Sequence, residues 1–238
     1  MKNLTKLKSN VKVYVGIPWL RNDHFKGYLG SCLNHLAAQE TSVEVMEPEL
    51  TAPYSGSFKP GEPSLLYAIM DRMNAVIDNY LKTDATHCLI VDADVELPPH
   101  AVEALIMHNV DIATGVYPFH NFEQCRAMMF GRMTDNPCGF FAPRDWNYMK
   151  GKVMGVDEPV SGGTGCMMIK RRVFRRYHPN IPALRFSKKD GECGADVYFW
   201  KRAQDMGFTA RLDANIVCGH LPEYPLREKD KWLDIEEY

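Results

Sequence analysis

The sequence lacks long hydrophobic runs and closely paired cysteines, and these absences exclude several classes of protein. No stretch approaches the roughly 18 consecutive apolar residues that a membrane-spanning helix needs. The seven cysteines are an odd number and include no Cys-x-x-Cys pair, which argues against a disulfide framework and a structural zinc site. A reducing compartment is the simplest inference, so we predict a cytoplasmic protein. Residues 1–10 are basic and polar, so no signal peptide is expected there.

The sequence also lacks a marked excess of charge. Its formal net charge is −2, so the overall balance predicts no nucleic-acid partner. Hydrophobic residues make up 45% of the chain and charged residues 24%, as in an ordinary globular protein with an ample core. Basic residues cluster at 170–172 and 175–176. A solvated helix face is the favoured interpretation, with a phosphate site or contact with anionic membrane lipid as alternatives.

Apolar periodicity in the first half of the chain predicts an α/β fold. The predicted strands are 11–18, 42–46, 86–91 and 111–116, and the predicted helices between them are 28–39, 65–81 and 99–108. Strands and helices that alternate in this way predict a mostly parallel sheet with right-handed crossovers. Residues 47–63 are rich in proline and glycine, which predicts a long loop rather than a regular element.

The second half of the chain has a looser pattern. Residues 119–158 combine scattered Gly, Pro and aromatic residues with alternation at 124–132, which predicts hairpins or an irregular subdomain. The later predicted elements are a strand at 164–169, a short helix at 171–177, a helix at 193–206 ended by Gly207, and strands at 209–212 and 216–218.

Two carboxylates directly follow the apolar run 86–91. Side chains alternate across a strand, so Asp92 and Asp94 are expected to project together from the strand's end. A hard cation such as Mg²⁺ or Mn²⁺ would relieve the repulsion between them. Ligands of open α/β sheets also bind beyond the carboxyl ends of strands. The alternatives are a chance pair in a solvated loop and a helix cap formed by Asp94.

Four blocks of sequence carry a resemblance to a known family. They are 72–75 with 88–94, then 98–105, then 165–174, and finally 194–203 with 207–208 and 217–221. In their order and spacing they resemble the glycosyltransferases of the GT-A fold, and the chain is similar to the large inverting family 2. The resemblance implies a Rossmann-type, mostly parallel sheet flanked by helices, with an irregular acceptor-side subdomain.

The resemblance implies one catalytic domain over 1–238 and a sugar-transfer activity. Residues to about 118 would form the donor-nucleotide half, about 119–220 the acceptor half, and 221–238 a tail. The implied reaction moves a sugar from a nucleoside-diphosphate sugar to an acceptor hydroxyl with inversion, with Mn²⁺ or Mg²⁺ as cofactor. The acceptor would be a carbohydrate, lipid or protein, and peripheral membrane contact is compatible with this function.

Two other functions remain open. One is a nucleotidyltransferase, although 16–21 holds a single glycine where that class usually has a Gly-rich basic signature. The other is a module that binds nucleotide or carbohydrate without turnover.

The resemblance also assigns roles to individual residues. The implied metal ligands are Asp94, Asp92 and His220, and Asp92 would also hold ribose or the donor sugar. Asp196 is the implied catalytic base, with Glu192 as the nearest substitute. The implied donor-binding residues are Pro18, Glu47, Arg72, Asn74, Asp92 and Ala93.

Each role has a structural alternative. His220 would otherwise be a satisfied histidine at a strand end, and Asp196 would stabilise the N-terminus of a helix. Arg72 would be a solvated arginine and Asn74 a helix-interior asparagine. The chain also departs from the family at 47–49, where an Asp-Asp-Gly-Ser-like turn is usual, and at 195–196, where one carboxylate replaces an acidic pair.

Two further groups are weaker candidates. The glycine-rich segment 161–165 is interpreted as an acceptor-side loop, since glycine permits close approach of a ligand. The aromatic candidates for stacking on sugar or base, for each of which packing is favoured, are Trp19, Trp146, Tyr148 and Trp200.

Overall fold

The chain folds around a mixed, mostly parallel central sheet that is flanked by helices. A computed structural model describes residues 10–19, 26–51, 63–117, 126–132, 140–145, 150–155, 160–175, 183–187 and 195–221. The strands are β1 (Lys12–Ile17), β2 (Glu44–Val45), β3 (Glu49–Leu50), β4 (His87–Val91), β5 (Val95–Glu96), β6 (Ile112–Val116), β7 (Arg126–Arg132), β8 (Phe140–Asp145), β9 (Val153–Met154), β10 (Val160–Gly162), β11 (Cys166–Lys170), β12 (Ala210–Val217) and β13 (Gly219–His220). The helices are α1 (Lys26–Ala37), α2 (Pro63–Lys82), α3 (Ala101–Met107) and α4 (Ala195–Asp205), with a 3₁₀ turn at Arg171–Phe174.

The central sheet has the order β2-β1-β4-β11-β6-β12-β9, and β3 also pairs with β1. Strand β1 is parallel to β2, β3 and β4, and β12 is parallel to β6. The predicted α/β fold with a mostly parallel sheet is therefore confirmed. Strand β11 is antiparallel and lies between β4 and β6, so these two strands are not neighbours.

The antiparallel insertion matters because it brings a distant segment to the end of β4. Cys166, the first residue of β11, pairs with Val91, the last residue of β4. The residues just before β11 therefore lie beside the residues just after β4. Two smaller sheets complete the described strands: β10-β7-β8 and the pair β13-β5.

The sheet is buried on both faces, as its continuous apolar strands require. On one face, Tyr14, Cys88 and Ile90 pack with residues of α2 and α4. On the other face, the alternate residues of β1 and β4 pack with α1 and α3. Helix α2 approaches β1 closely at Gly16, where an added Cβ would clash with the side chain of Val76.

The basic cluster at 170–172 belongs to the fold rather than to a solvated helix face. The Arg171 guanidinium donates to the carbonyl oxygens of Tyr80, Leu81, Thr83 and Ala85 at 2.7–3.3 Å. These carbonyls lie at and after the end of α2, where a helix leaves its last carbonyls without helical N–H partners.

The neighbouring basic residues are held in the same way. Arg172 binds the carboxylate of buried Asp111 with two donors, and Lys170 donates to Asn109 at 2.7 Å. The favoured interpretation of a solvated helix face was therefore wrong for Lys170 and Arg171, which the fold binds, whereas the Arg172 side chain is 57% exposed although it binds Asp111. Arg176 lies outside the described residues.

Two other expectations need correction. The predicted strands 209–212 and 216–218 are one strand, β12, with a register irregularity between Leu212 and Val217. The predicted loop at 47–63 contains the short strand β3, and 52–62 lie outside the described residues. The predicted C-terminal stop at Gly207 is confirmed, since its φ is +81°.

None of the helices in the described part of the chain has both the length and the apolar content needed to cross a bilayer.

Candidate active site

The two carboxylates after β4 lie in a tight turn and not in the strand itself. Strand β4 ends at Val91, and the N–H of Val95 donates to the carbonyl of Asp92 at 3.0 Å. Strand alternation therefore does not explain how Asp92 and Asp94 come together, and that part of the expectation was wrong. The turn brings the side chains together instead, close enough for the charge of Asp94 to act on Asp92. Asp94 does not cap the next helix, whose N-cap is His100.

Gly165, just before β11, lies against Asp92. The N–H of Asp92 donates to the Gly165 carbonyl at 3.3 Å, and the Gly165 N–H donates to the hydroxyl of Tyr117 at 2.9 Å. An added Cβ on Gly165 would lie 2.8 Å from Val95 Cγ2, 2.9 Å from Tyr117 Cζ and 3.1 Å from Asp92 Oδ2. Only a residue without a side chain fits at this position.

Burial and neighbouring charge raise the pKa of Asp92 to about 7. Desolvation of the carboxyl is the largest cause, and the negative charges of Asp94 and Asp196 add to it. The imidazole of His220 acts in the opposite direction. The carboxylate form of Asp92 is therefore disfavoured mainly by desolvation, with the two acidic neighbours adding to the effect.

Asp94 and His220 face each other across the small sheet formed by β5 and β13. His220 pairs with Val95, and the N–H of Leu221 donates to the Asp94 carbonyl at 2.8 Å. These backbone contacts place His220 Nε2 3.5 Å from Asp94 Oδ2. The ring of Tyr117 packs edge-on against the imidazole, with 5.2 Å between centroids.

The Asp94–His220 pair fits two ligand positions of a Mn²⁺ or Mg²⁺ ion. Ligands about 2.1 Å from one ion lie roughly 3 Å apart at right angles, close to the 3.5 Å between these atoms. No group of three or more His, Cys, Asp or Glu side chains within the described ranges is gathered to hold a metal. Two protein ligands suit these cations when phosphate oxygens supply others.

Asp196 stands in the first turn of α4, where its carboxylate accepts the N–H of Val197 at 2.8 Å. This contact is the predicted helix-terminal alternative, and it stabilises the start of the helix. Burial nevertheless raises the pKa of Asp196 above its ordinary value, against the effect of the backbone hydrogen bonds. Its charge also raises the pKa of Asp92 and of Tyr117. Asp196 therefore belongs to the same electrostatic cluster as Asp92.

The predicted donor-binding residues are more dispersed. Pro18 directly follows β1 and is partly exposed, Glu47 is exposed between β2 and β3, and Ala93 is buried in the turn. Arg72 and Asn74 both lie on α2, but residues two apart on a helix do not face the same way.

Asn74 has a clear structural contact. Its amide donates to the Phe186 carbonyl at 2.9 Å and accepts from the Phe186 N–H at 3.0 Å. It thus fixes segment 183–187 against α2. Donor contacts for Asn74 and the other residues of this set stay predictions.

The remaining candidates are the aromatic residues, Glu192 and the glycine-rich segment, and only some of them lie within the described residues. Trp200 is fully buried in the core, and Trp19 packs against the core while its backbone N–H donates to Thr51 Oγ1 at 2.8 Å. Packing thus accounts for both, as the favoured interpretation predicts. Glu192, Trp146 and Tyr148 lie outside the described residues. Segment 160–165 is buried, so its contribution to the site is the backing of Asp92 by Gly165.

Sequence reasoning missed Tyr117 and Glu96. Tyr117 directly follows β6, and the rule that ligands bind beyond the carboxyl ends of strands would have pointed to it. Glu96 is buried in β5 and gave no signal, because an acidic residue near two others resembles a solvated turn.

Comparison with known proteins identifies the fold. No protein-family model matches the chain, and no curated protein sequence matches it. The solved structure of A197 from STIV has a TM-score of 0.52 and 14% identity, over 92% of each chain. TarS from S. aureus, solved in complex with UDP-GlcNAc, has a TM-score of 0.50 and 13% identity, over 95% of this chain and 62% of that one.

A third structure, the inositol-1-phosphate CTP transferase from T. maritima, covers 95% of each chain with 8% identity and a TM-score of 0.48, which is too weak a likeness to support an argument. The fold is GT-A-like. At these identities the similarity extends to the fold and not to the activity.

Proposed function

We propose that this protein is a metal-dependent glycosyltransferase. In the proposed reaction a sugar moves from a nucleoside-diphosphate sugar to an acceptor hydroxyl, with inversion at the anomeric carbon. The observation that carries the proposal is the electrostatic cluster around Asp92. Asp94, His220 and Asp196, from three separate segments of the chain, all act on its carboxyl.

Asp94 and His220 are the proposed ligands of the divalent cation. A carboxylate oxygen and an imidazole nitrogen suit Mn²⁺ well, since it accepts nitrogen ligands more readily than Mg²⁺ does. When bound, the cation would offset the charge that develops on the leaving diphosphate. The position after β4 supports this role, because the carboxyl ends of the central strands are where such folds bind nucleotides.

Asp92 is proposed to bind ribose or the donor sugar. Gly165 lies beside it, since an added Cβ there would be 3.1 Å from Asp92 Oδ2, so the backbone limits the room on that side of the carboxyl. Fixed carboxylates bind sugar hydroxyls with little loss of conformational freedom.

Asp196 is proposed as the base that takes the proton of the acceptor hydroxyl. Burial raises its pKa, which makes it a stronger proton acceptor than a solvated carboxylate. The hydrogen bond from Val197 N–H fixes the carboxylate at the start of α4. The acceptor would be a carbohydrate, lipid or protein hydroxyl, and we predict a cytoplasmic location.

Donor hydrolysis tests the proposal directly. Wild-type protein is incubated with UDP-GlcNAc, and with a panel of other UDP- and GDP-sugars, and release of the nucleoside diphosphate is measured with Mn²⁺ or with EDTA. An active transferase leaks slowly to water, so we expect Mn²⁺-dependent release from at least one donor. Asp196→Asn should slow this release, because water also needs a proton acceptor.

Two results would contradict the proposal. Donor binding without release from any nucleotide sugar would indicate a binding module. Release of pyrophosphate from a nucleoside triphosphate with a sugar phosphate would indicate a nucleotidyltransferase. Asp205→Asn is the matched control, since Asp205 forms an exposed ion pair with Lys201 on the last turn of α4.

A further inference from the structure

Helix α1 makes a series of polar contacts with the Asp92–Asp94 turn and with the residues after it. Cys32 Sγ lies 3.6 Å from the Asp92 carbonyl. One helical turn later, His35 Nδ1 lies 2.9 Å from the Leu97 carbonyl. Just beyond the helix, Gln39 donates to the Pro98 carbonyl at 2.9 Å and accepts the N–H of Val102 at 3.1 Å. Helix α1 and Gln39 thus contact one side of the chain between Asp92 and Val102.

Glu96 is the side chain of β5 that the polar side chains of α1 contact. It is 5% exposed, and its carboxylate accepts the hydroxyl of Ser31 at 2.5 Å. His35 Nε2 lies 3.6 Å from the same oxygen. Since Nδ1 of His35 contacts the Leu97 carbonyl, that nitrogen carries a proton in this contact. Ser31 and His35 are four residues apart and therefore share one face of α1.

Strand β5 in turn sets the position of His220. Glu96 pairs with Gly219, and an added Cβ on Gly219 would lie 2.8 Å from Glu96 Oε2. The ladder formed by β5 and β13 has only two residues in each strand. A pair of this size has little stability of its own, so its geometry depends on what holds it from outside.

We propose that the Ser31–His35 face of α1, acting through Glu96, is a positioning element for the cation site. It holds β5 so that Asp94 before the strand and His220 opposite it stay at ligand distance from each other. This inference rests on the proposed function, because it presumes that Asp94 and His220 bind the cation. Ser31, His35 and Glu96 are positioning residues, since none of them is assigned a contact with substrate.

The alternative is that these contacts only add stability to the fold. Partners that orient metal ligands typically change metal affinity by roughly 10–100-fold when they are removed. A contact that only stabilises the fold would lower the melting temperature and leave the affinity of the folded protein unchanged. Metal affinity and unfolding therefore separate the two roles.

The test measures Mn²⁺ affinity by electron paramagnetic resonance of the free ion, in the presence of saturating UDP. Ser31→Ala removes the hydroxyl that binds Glu96 and places a good helix former in α1. Ser31→Thr keeps a hydroxyl at the same position. Thr41→Ala is the matched control, because it removes another hydroxyl that donates to a glutamate, Glu103, at 3.0 Å.

We expect Ser31→Ala to weaken Mn²⁺ binding by about tenfold or more, with Ser31→Thr close to wild type and Thr41→Ala unchanged. Should Ser31→Ala not fold, His35→Gln removes the imidazole that contacts the Leu97 carbonyl and lies beside Glu96, and it carries the same expectation. Wild-type affinity in a folded Ser31→Ala or His35→Gln protein would overturn this inference alone. A wild-type protein that binds no Mn²⁺ with UDP would overturn the proposed function together with it.

Discussion

The backbone N–H of Gly165 donates to the hydroxyl of Tyr117 at 2.9 Å, directly behind the carboxyl of Asp92. This hydrogen bond joins the residue before β11 to the residue after β6. The central sheet thus brings three strand ends, of β4, β6 and β11, to one point. The candidate site is built where they meet.

Replacing Gly165 with alanine should disrupt the site. The added Cβ would lie under 3.0 Å from Val95 and Tyr117 and 3.1 Å from Asp92, so Val95 and the Tyr117 ring must shift and the Asp92 carboxyl must move by a few tenths of an ångström. We expect the free energy of unfolding to fall by about 1–3 kcal/mol. We also expect Mn²⁺-dependent nucleotide binding to be lost. Urea unfolding and calorimetry measure the two effects.

Gly30→Ala is the control for this substitution. Gly30 lies within α1, and nothing is within 4 Å of an added Cβ. Alanine there should stabilise the protein by roughly 0.5–1 kcal/mol and leave nucleotide binding unchanged. Unaltered nucleotide binding in Gly165→Ala would show that the contact with Asp92 is not needed for the site.

Arg171→Lys should destabilise the fold without affecting the site. The guanidinium bonds four carbonyls around the end of α2, a fan of donors that one ammonium group does not reproduce. We expect a loss of about 1–3 kcal/mol in the free energy of unfolding, measured by urea denaturation. The exposed Arg175 supplies the control, and an equal effect of Arg175→Lys would contradict this role.

Acid should destabilise the protein through His87. Burial, with the charge of Lys170, lowers the pKa of His87 from 6.5 to about 4. Between these two pH values the unfolded chain therefore binds a proton at His87 that the folded protein does not bind. The contribution of neutral His87 is complete above pH 6.5 and is lost as the pH falls from 6.5 towards 4.

His87→Gln isolates this effect, since glutamine does not titrate. We expect wild type to lose up to about 3 kcal/mol relative to the variant as the pH falls through this window. Urea unfolding at a series of pH values measures the difference. The exposed His100 provides the control, because His100→Gln should run parallel to wild type. A difference for His87→Gln that did not change with pH would show that His87 is not held neutral.

The sequence was sufficient to predict most of the regular elements around β4. Its apolar run marks a strand buried on both faces, and the Asp-x-Asp sequence marks the strand's end. Periodicity does not encode pairing partners, so the antiparallel position of β11 between β4 and β6 was not predictable. For that reason the contact between Gly165 and Asp92 was missed as well.

Polar residues inside strands were the other source of error. Asp213 and Asn215 are turn formers, which is why β12 was predicted as two strands. In the structure Asp213 Oδ1 accepts the N–H of Asn215 at 2.8 Å, and the N–H of Ala214 donates to the backbone carbonyl of Lys152 at 2.9 Å. These contacts satisfy the polar groups of the irregularity, so the strand continues. Glu96 was overlooked for a related reason: its partners lie on a distant helix.

The central claim is that Asp94 anchors a cation that binds the diphosphate of the donor. Its most direct test is the melting temperature of wild type and Asp94→Asn with UDP, GDP and other nucleoside diphosphates, with Mn²⁺ or EDTA. Nucleotide at about 100 times Kd adds about 2.7 kcal/mol to the folded state, a shift of roughly 5–10 °C for a domain of this size. We predict such a shift for wild type with Mn²⁺ and at least one nucleotide, and its loss in EDTA and in Asp94→Asn, with Asp205→Asn behaving as wild type. Equal shifts in wild type and Asp94→Asn, or shifts that do not depend on Mn²⁺, would contradict the account.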